Sequence, residues 1–113
     1  MEDIIEMKAL FVIVNAGFED EVVDIIRKCG SQGATIINAR GTAGSYAKKT
    51  LLSIQYEPEK EIVISLVSSE IAENIMQVLP QKLGVASPAN GICFCMPVNK
   101  MTLINKQSLN EST

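Results

Sequence analysis

Histidine and tryptophan are absent from this chain, and aromatic residues make up only 4% of it. Without histidine the side chain that most often moves protons near neutral pH is missing, and no serine or cysteine has an evident partner base. Catalysis therefore has little support, and an enzyme of any kind is not expected. Cysteine is scarce as well. Cys29, Cys93 and Cys95 are an odd number in a short chain, which argues against a disulfide framework and suits a reducing compartment. No apolar run approaches the roughly 20 residues that cross a bilayer. The start, Met1-Glu2-Asp3, is acidic where a secretory signal would be basic. A cytoplasmic protein is expected. Positive charge is also short: ten Lys and Arg against thirteen Asp and Glu leave a net charge of −3, with the cations scattered along the chain. Nucleic acid is not an expected partner.

What is present is one domain's worth of chain, 113 residues of which 47% are hydrophobic. The expected layout is a single domain over residues 1–105 and a polar tail over 106–113. A domain this short buries a modest core, so association with further copies is a natural source of stability.

Lys8–Asn15 is a nearly continuous apolar run, which predicts a central strand buried on both faces and ended by Asn15-Ala16-Gly17. Phe18, Val22, Ile25, Ile26 and Cys29 then recur at helical spacing. Acidic residues at 19–21, basic Arg27 and Lys28, and Gly30 beyond them mark the two helix ends. A second strand is predicted over Ala34–Arg40. The small-residue stretch Gly41–Ser45, continuing through Tyr46 to Lys49, predicts a mobile loop. Strand character returns over Thr50–Tyr56, Glu57–Lys60 reads as a turn, and Glu61–Val67 as a strand with apolar residues on both faces. Ser68 or Ser69 suits the N-cap of a second helix with Ile71, Ile75, Val78 and Leu79 on its apolar stripe, and Pro80 predicts a bend or stop. A second loop spans Gly84–Gly91, and Ile92–Val98 reads as the last main strand. This order predicts an α+β fold, a ferredoxin-like βαββαβ sandwich with an antiparallel sheet. Helices cover one sheet face. The apolar strands imply that the other is buried too, by neighbouring subunits.

Three segments carry a resemblance. Gly33–Gly41 entering a long loop, Glu57–Ile64 returning from it, and Asn90–Val98 with its leading glycine and Pro97-Val98 ending together resemble the PII-like signalling proteins, over about Lys8 to Ile104. The resemblance implies a homotrimer with three clefts between subunits. It further implies an adenine nucleotide (AMP, ADP or ATP) as effector, and a target such as a membrane transporter or enzyme touched by the loop after the second strand, the T-loop. Carried over by position, Thr35 would contact the adenine and Gly41 would sit at the T-loop base. Ala89, Asn90, Gly91 and Ile92 would line the cleft at the loop before the last strand, the B-loop. Nitrogen-regulatory members place a lysine where this chain has Ile92, and basic residues where it has Leu103 and Asn105. A triphosphate wants several converging donors, so these changes point to a less charged effector, AMP, ADP or another small metabolite.

Other readings of the same residues are weaker. Cys93 and Cys95 alternate with Phe94 and share one side of a strand, so a redox or soft-metal pair is conceivable, as in the trimeric metal-binding CutA proteins of the same fold. Adjacent same-face positions are poorly placed for a disulfide, and no histidine completes a zinc site, so core packing is the expected role. Gly41–Ser45 lacks the Gly-Lys-Ser/Thr ending of a P-loop, and Lys48 and Lys49 read as solvated loop charges.

Overall fold

The computed structural model describes residues 6–41 and 59–104. The strands are β1 (Met7–Asn15), β2 (Thr35–Arg40), β3 (Glu59–Ser68) and β4 (Ile92–Pro97), and the helices are α1 (Glu19–Lys28) and α2 (Ser69–Leu83). The sheet runs β2-β3-β1-β4 with every neighbouring pair antiparallel. This is the ferredoxin-like α+β arrangement. The expected strand at Thr50–Tyr56, the loop with Tyr46, Lys48 and Lys49, and the polar tail at 106–113 lie outside the described residues.

Period-two alternation decides which side chains meet the helices. Leu10, Val12 and Val14 of β1 and Val63 and Val67 of β3 point to one face and are buried. Val22, Ile25 and Ile26 of α1 and Ala72, Ile75, Leu79 and Leu83 of α2 close over them. Burying each such side chain contributes about 1.5–3 kcal/mol, so this layer is the main source of the monomer's cohesion. One polar cluster sits in it. Ser31 and Ser65 are buried with their Oγ atoms 2.6 Å apart, and each Oγ also lies within hydrogen-bond distance of the Gly33 carbonyl, at 3.1 and 2.7 Å. These bonds pin the link between α1 and β2 to the middle of β3, and no buried side-chain polar atom among the described residues is left unsatisfied.

Among the described residues no helix lies on the opposite sheet face. Ala9, Phe11 and Ile13 of β1, Ile62, Ile64 and Leu66 of β3, Ile37 of β2, and Ile92, Phe94 and Met96 of β4 all point there. Phe11 and Phe94 stack with ring centroids 5.0 Å apart. Leu66, Met96 and Phe94 remain 47%, 52% and 40% exposed. β1 is therefore central, as its composition predicts, but within one protomer only its helix-facing side is buried.

Two boundaries, the start of β3 and the end of α2, differ from the sequence expectation by more than a residue, while the cap of α2 falls where expected. Glu59 and Lys60 open β3 instead of closing a turn, because Ala39 and Arg40 extend β2 far enough to pair with them. Ser68 is the N-cap of α2, its Oγ accepting from the Ile71 N–H at 3.3 Å. α2 then continues through Pro80 to Leu83. Proline removes one main-chain donor from that turn, while the Gln81 side chain donates to the Gln77 carbonyl at 2.9 Å and the buried Leu79 and Leu83 keep the final turn packed on the sheet.

Candidate functional site

One end of the sheet gathers the residues of interest. In the ladder register Ala39 stands opposite Lys60, Lys60 opposite Asn15, and Ile13 opposite Ile92. The end of β2, the start of β3, the end of β1 and the start of β4 thus lie side by side. Gly41 follows β2 there, and a Cβ built on it would lie 3.8 Å from Lys60 Cγ. The turn 84–91 enters β4 at the same end. Gly41 and Gly91 nevertheless belong to opposite edges, three strand spacings apart, or roughly 14 Å. Thr35 lies at the far end of β2, opposite Ile64, exposed and pointing to the open face.

The turn 84–91 is held by its own backbone. The Ser87 N–H and Oγ both donate to the Gly84 carbonyl, at 3.0 and 2.8 Å. The Ala89 N–H donates to Ser87 Oγ at 3.2 Å, the Asn90 N–H to the Ser87 carbonyl at 3.0 Å, and the Gly91 N–H to the Leu83 carbonyl at 2.8 Å. Asn90 has φ of +49°, a left-handed conformation that asparagine tolerates well. A Cβ on Gly91 would overlap the Leu83 carbonyl oxygen and stand 3.2 Å from Val14 Cγ1, so only glycine fits.

These contacts assign different surroundings to the residues singled out from the sequence. The Ala89 methyl is fully buried in the core cluster, and both its N–H and its carbonyl are engaged within the chain. Asn90 and Gly91 are half-buried, and Ile92 is 45% exposed on the open face. The N–H groups of Ala89, Asn90 and Gly91 all donate internally, so these three residues present no ready cradle of main-chain donors for a polyphosphate. The cavity behind it, lined by Val12, Leu79, Leu83, Gly91 and Cys93 among others, measures about 20 Å³ and holds at most a water. A ligand at this turn sits outside the protomer's own core.

Cys93 and Cys95 share the helix-facing side, as their spacing predicts, and pack against the core. The Cys93 thiol is pushed up to about 11, first by burial and then by the neighbouring charge of Cys95. Metal binding and nucleophilic chemistry need the thiolate, which this environment disfavours. Among the described residues no group of three or more His, Cys, Asp or Glu is arranged to hold a metal ion, and no helix is long and apolar enough to cross a membrane.

Asn15 and Lys60 were not legible as site residues. Asn15 reads as a strand terminator and Lys60 as a turn residue, yet the Lys60 ammonium donates to Asn15 Oδ1 at 2.8 Å. Lys60 is only 6% exposed. The partners of Asn15 lie 45 and 73 residues away, and no local pattern announces them.

A family model described as nitrogen regulatory protein P-II matches residues 7–108. Solved structures with the same fold include one described as a PII-like signaling protein from Thermus thermophilus, 21% identical, covering 86% of this chain and 90% of its own, with a TM-score of 0.64. The PII-like protein CPII from Thiomonas intermedia, bound to ADP, AMP and bicarbonate, is 15% identical over 88% and 97% of the two chains, with a TM-score of 0.65. The B. subtilis GlnK–ATP complex is 18% identical over 82% of each, with a TM-score of 0.62. No curated protein matches the chain.

Proposed function

The chain belongs to the nitrogen regulatory protein P-II family, and from that premise we propose that it is a non-enzymatic, cytoplasmic signal-transduction subunit. In this reading it is a homotrimer that binds an adenine nucleotide in clefts between subunits. It passes the binding state to a partner, a membrane transporter or enzyme, through the T-loop between β2 and β3. Family members are trimers that bind small effectors and regulate partner proteins, and none of this requires a catalytic group.

One observation carries the reading: Gly41 and the 84–91 turn lie at the same end of the sheet but on opposite edges. A cleft between two copies juxtaposes the β2 edge of one with the turn of the next, which a single protomer cannot do. The apolar open face supplies the surface on which such copies pack. Gly41, Asn90, Gly91 and Ile92 would line this end of the cleft and Thr35 its far end along β2, with Ala89 acting through the core as the anchor of the turn. Nucleotides in two of the similar structures, ADP with AMP in one and ATP in the other, support this effector class. The internally satisfied turn and the aliphatic Ile92 favour AMP or ADP over ATP here, because a triphosphate gains little without extra cations or free donors. Binding shifts the T-loop only by the difference in affinity between its states.

Native mass spectrometry of the protein titrated with AMP, ADP and ATP tests this. The expected result is a trimer taking up one AMP or ADP per cleft, with ATP weaker. A monomer would refute the assembly, and a trimer that binds no nucleotide would refute the effector class.

A further inference from the structure

The Asn15 side chain bridges the 84–91 turn and the start of β3. Asn15 Nδ2 donates to the Pro88 carbonyl at 2.8 Å while its Oδ1 accepts from the Lys60 ammonium at 2.8 Å. Its backbone N–H donates to the Ala89 carbonyl at 2.9 Å, and the next residue, Ala16, donates its N–H to the Glu59 carbonyl at 3.0 Å. One dipeptide at the end of β1 thus grips consecutive carbonyls of the turn on one side and consecutive residues of β3 on the other. Among side chains of this length, only a carboxamide carries a donor and an acceptor on one planar group. The partners also fix its orientation, since the carbonyl needs the NH₂ and the ammonium needs the oxygen. Rotation about χ2 to release either partner breaks both bonds.

We infer that Asn15 is a positioning residue that locks the pose of the 84–91 turn to the pose of Lys60 at the root of the T-loop, so that displacement of one is felt at the other. The coupling part of this inference rests on the effector reading above, with the turn as the place where ligand acts. The mechanical part does not. If Lys60 is truncated, Asn15 loses the ammonium that orients it, and the Pro88 carbonyl loses its fixed donor. A Cβ placed on Gly41 would lie 3.8 Å from Lys60 Cγ, so the tie ends beside the residue that leads into the T-loop.

The test is amide hydrogen exchange on the whole protein without ligand, followed by ADP. Lys60→Met keeps the aliphatic stem and removes the ammonium. It should speed exchange at Ala89, Asn90 and Gly91 by about tenfold, the order expected for one lost hydrogen bond, while Val22–Ile26 in α1 stay protected. Asn15→Asp should do the same at the turn, because a carboxylate faces the Pro88 carbonyl with no donor. Unchanged exchange at Ala89–Gly91 in Lys60→Met would overturn the inference, whatever the protein binds. With ADP, the native chain should slow exchange at both Ala89–Gly91 and Glu59–Ile62, and Asn15→Asp should keep the first effect and lose the second. Protection of Glu59–Ile62 that survives in Asn15→Asp would also overturn it. Absence of ADP binding in the native chain would instead count against the effector reading and leave the Lys60→Met result as the deciding one.

Discussion

Gly91 and Cys93 stand two residues apart and show how much a single side-chain position can be constrained. Gly91→Ala drives a methyl into the Leu83 carbonyl and against Val14, and it threatens the hydrogen bond that closes the turn. A loss of about 1–3 kcal/mol is expected, the range for backbone strain plus one disturbed hydrogen bond. Urea unfolding measures it, and a midpoint equal to that of the native chain would contradict the geometry. Cys93 makes a pH prediction. Its folded thiol holds the proton more tightly than an unfolded one, so the unfolded chain ionises first. Stability from this group is intact below the ordinary value of 9.0 and is lost as pH rises towards about 11. Cys93→Ala should flatten that alkaline decline in thermal melts. Iodoacetamide at neutral pH should label Cys93 far more slowly than a free peptide thiol.

At the level of elements, helix ends and strand ends were read with unequal success, and the reasons are physical. The first helix was legible because its acidic first turn, basic last turn and following glycine are local signals, and α1 occupies Glu19–Lys28 between them. The Ser68 cap was legible for the same reason. Ser68→Ala should cost about 1 kcal/mol, the usual worth of such a cap, as read by chemical denaturation; no change would mean that packing alone holds the first turn of α2. Pro80 misled because its effect depends on what surrounds it. Leu83, one turn beyond, is buried, and its packing outweighs the lost main-chain bond. The start of β3 misled because Glu59 and Lys60 look like turn residues until β2 is beside them. Asn15 was invisible as a tie for a stronger version of the same reason, since its partners come from two distant segments. Of the candidate site, the loop over 84–91 could be read from its small residues, whereas the glycine-led entry to β4 stood out through the family resemblance. The burial of Ala89 and the internal use of the turn's donors could not be read, because they are properties of the folded loop.

The molecule as a whole is unfinished on one side. Its helix face is a closed core, but the open face carries Phe11, Ile64, Leu66, Phe94 and Met96 with nothing from the described residues over them. Placing a charge there separates folding from assembly. Phe94→Glu should leave the helix-side core and the circular dichroism spectrum intact, yet shift the protein to monomers in analytical ultracentrifugation, because a carboxylate in an apolar interface costs several kcal/mol. A trimer that persists with this change would mean that assembly uses another surface.

The opposite-edge placement of Gly41 and Gly91 also has a genetic consequence. In the proposed inter-subunit cleft, a lesion confined to the β2 edge and a lesion confined to the 84–91 turn would destroy different halves of a shared site. Each variant alone would then be null for binding, while subunits mixed from both would regain intact sites wherever two undamaged halves meet. In a closed ring assembled at random from equal amounts, about one interface in four meets that condition. Two alleles that fail separately would then complement each other in one cell, whereas two lesions on the same edge would not.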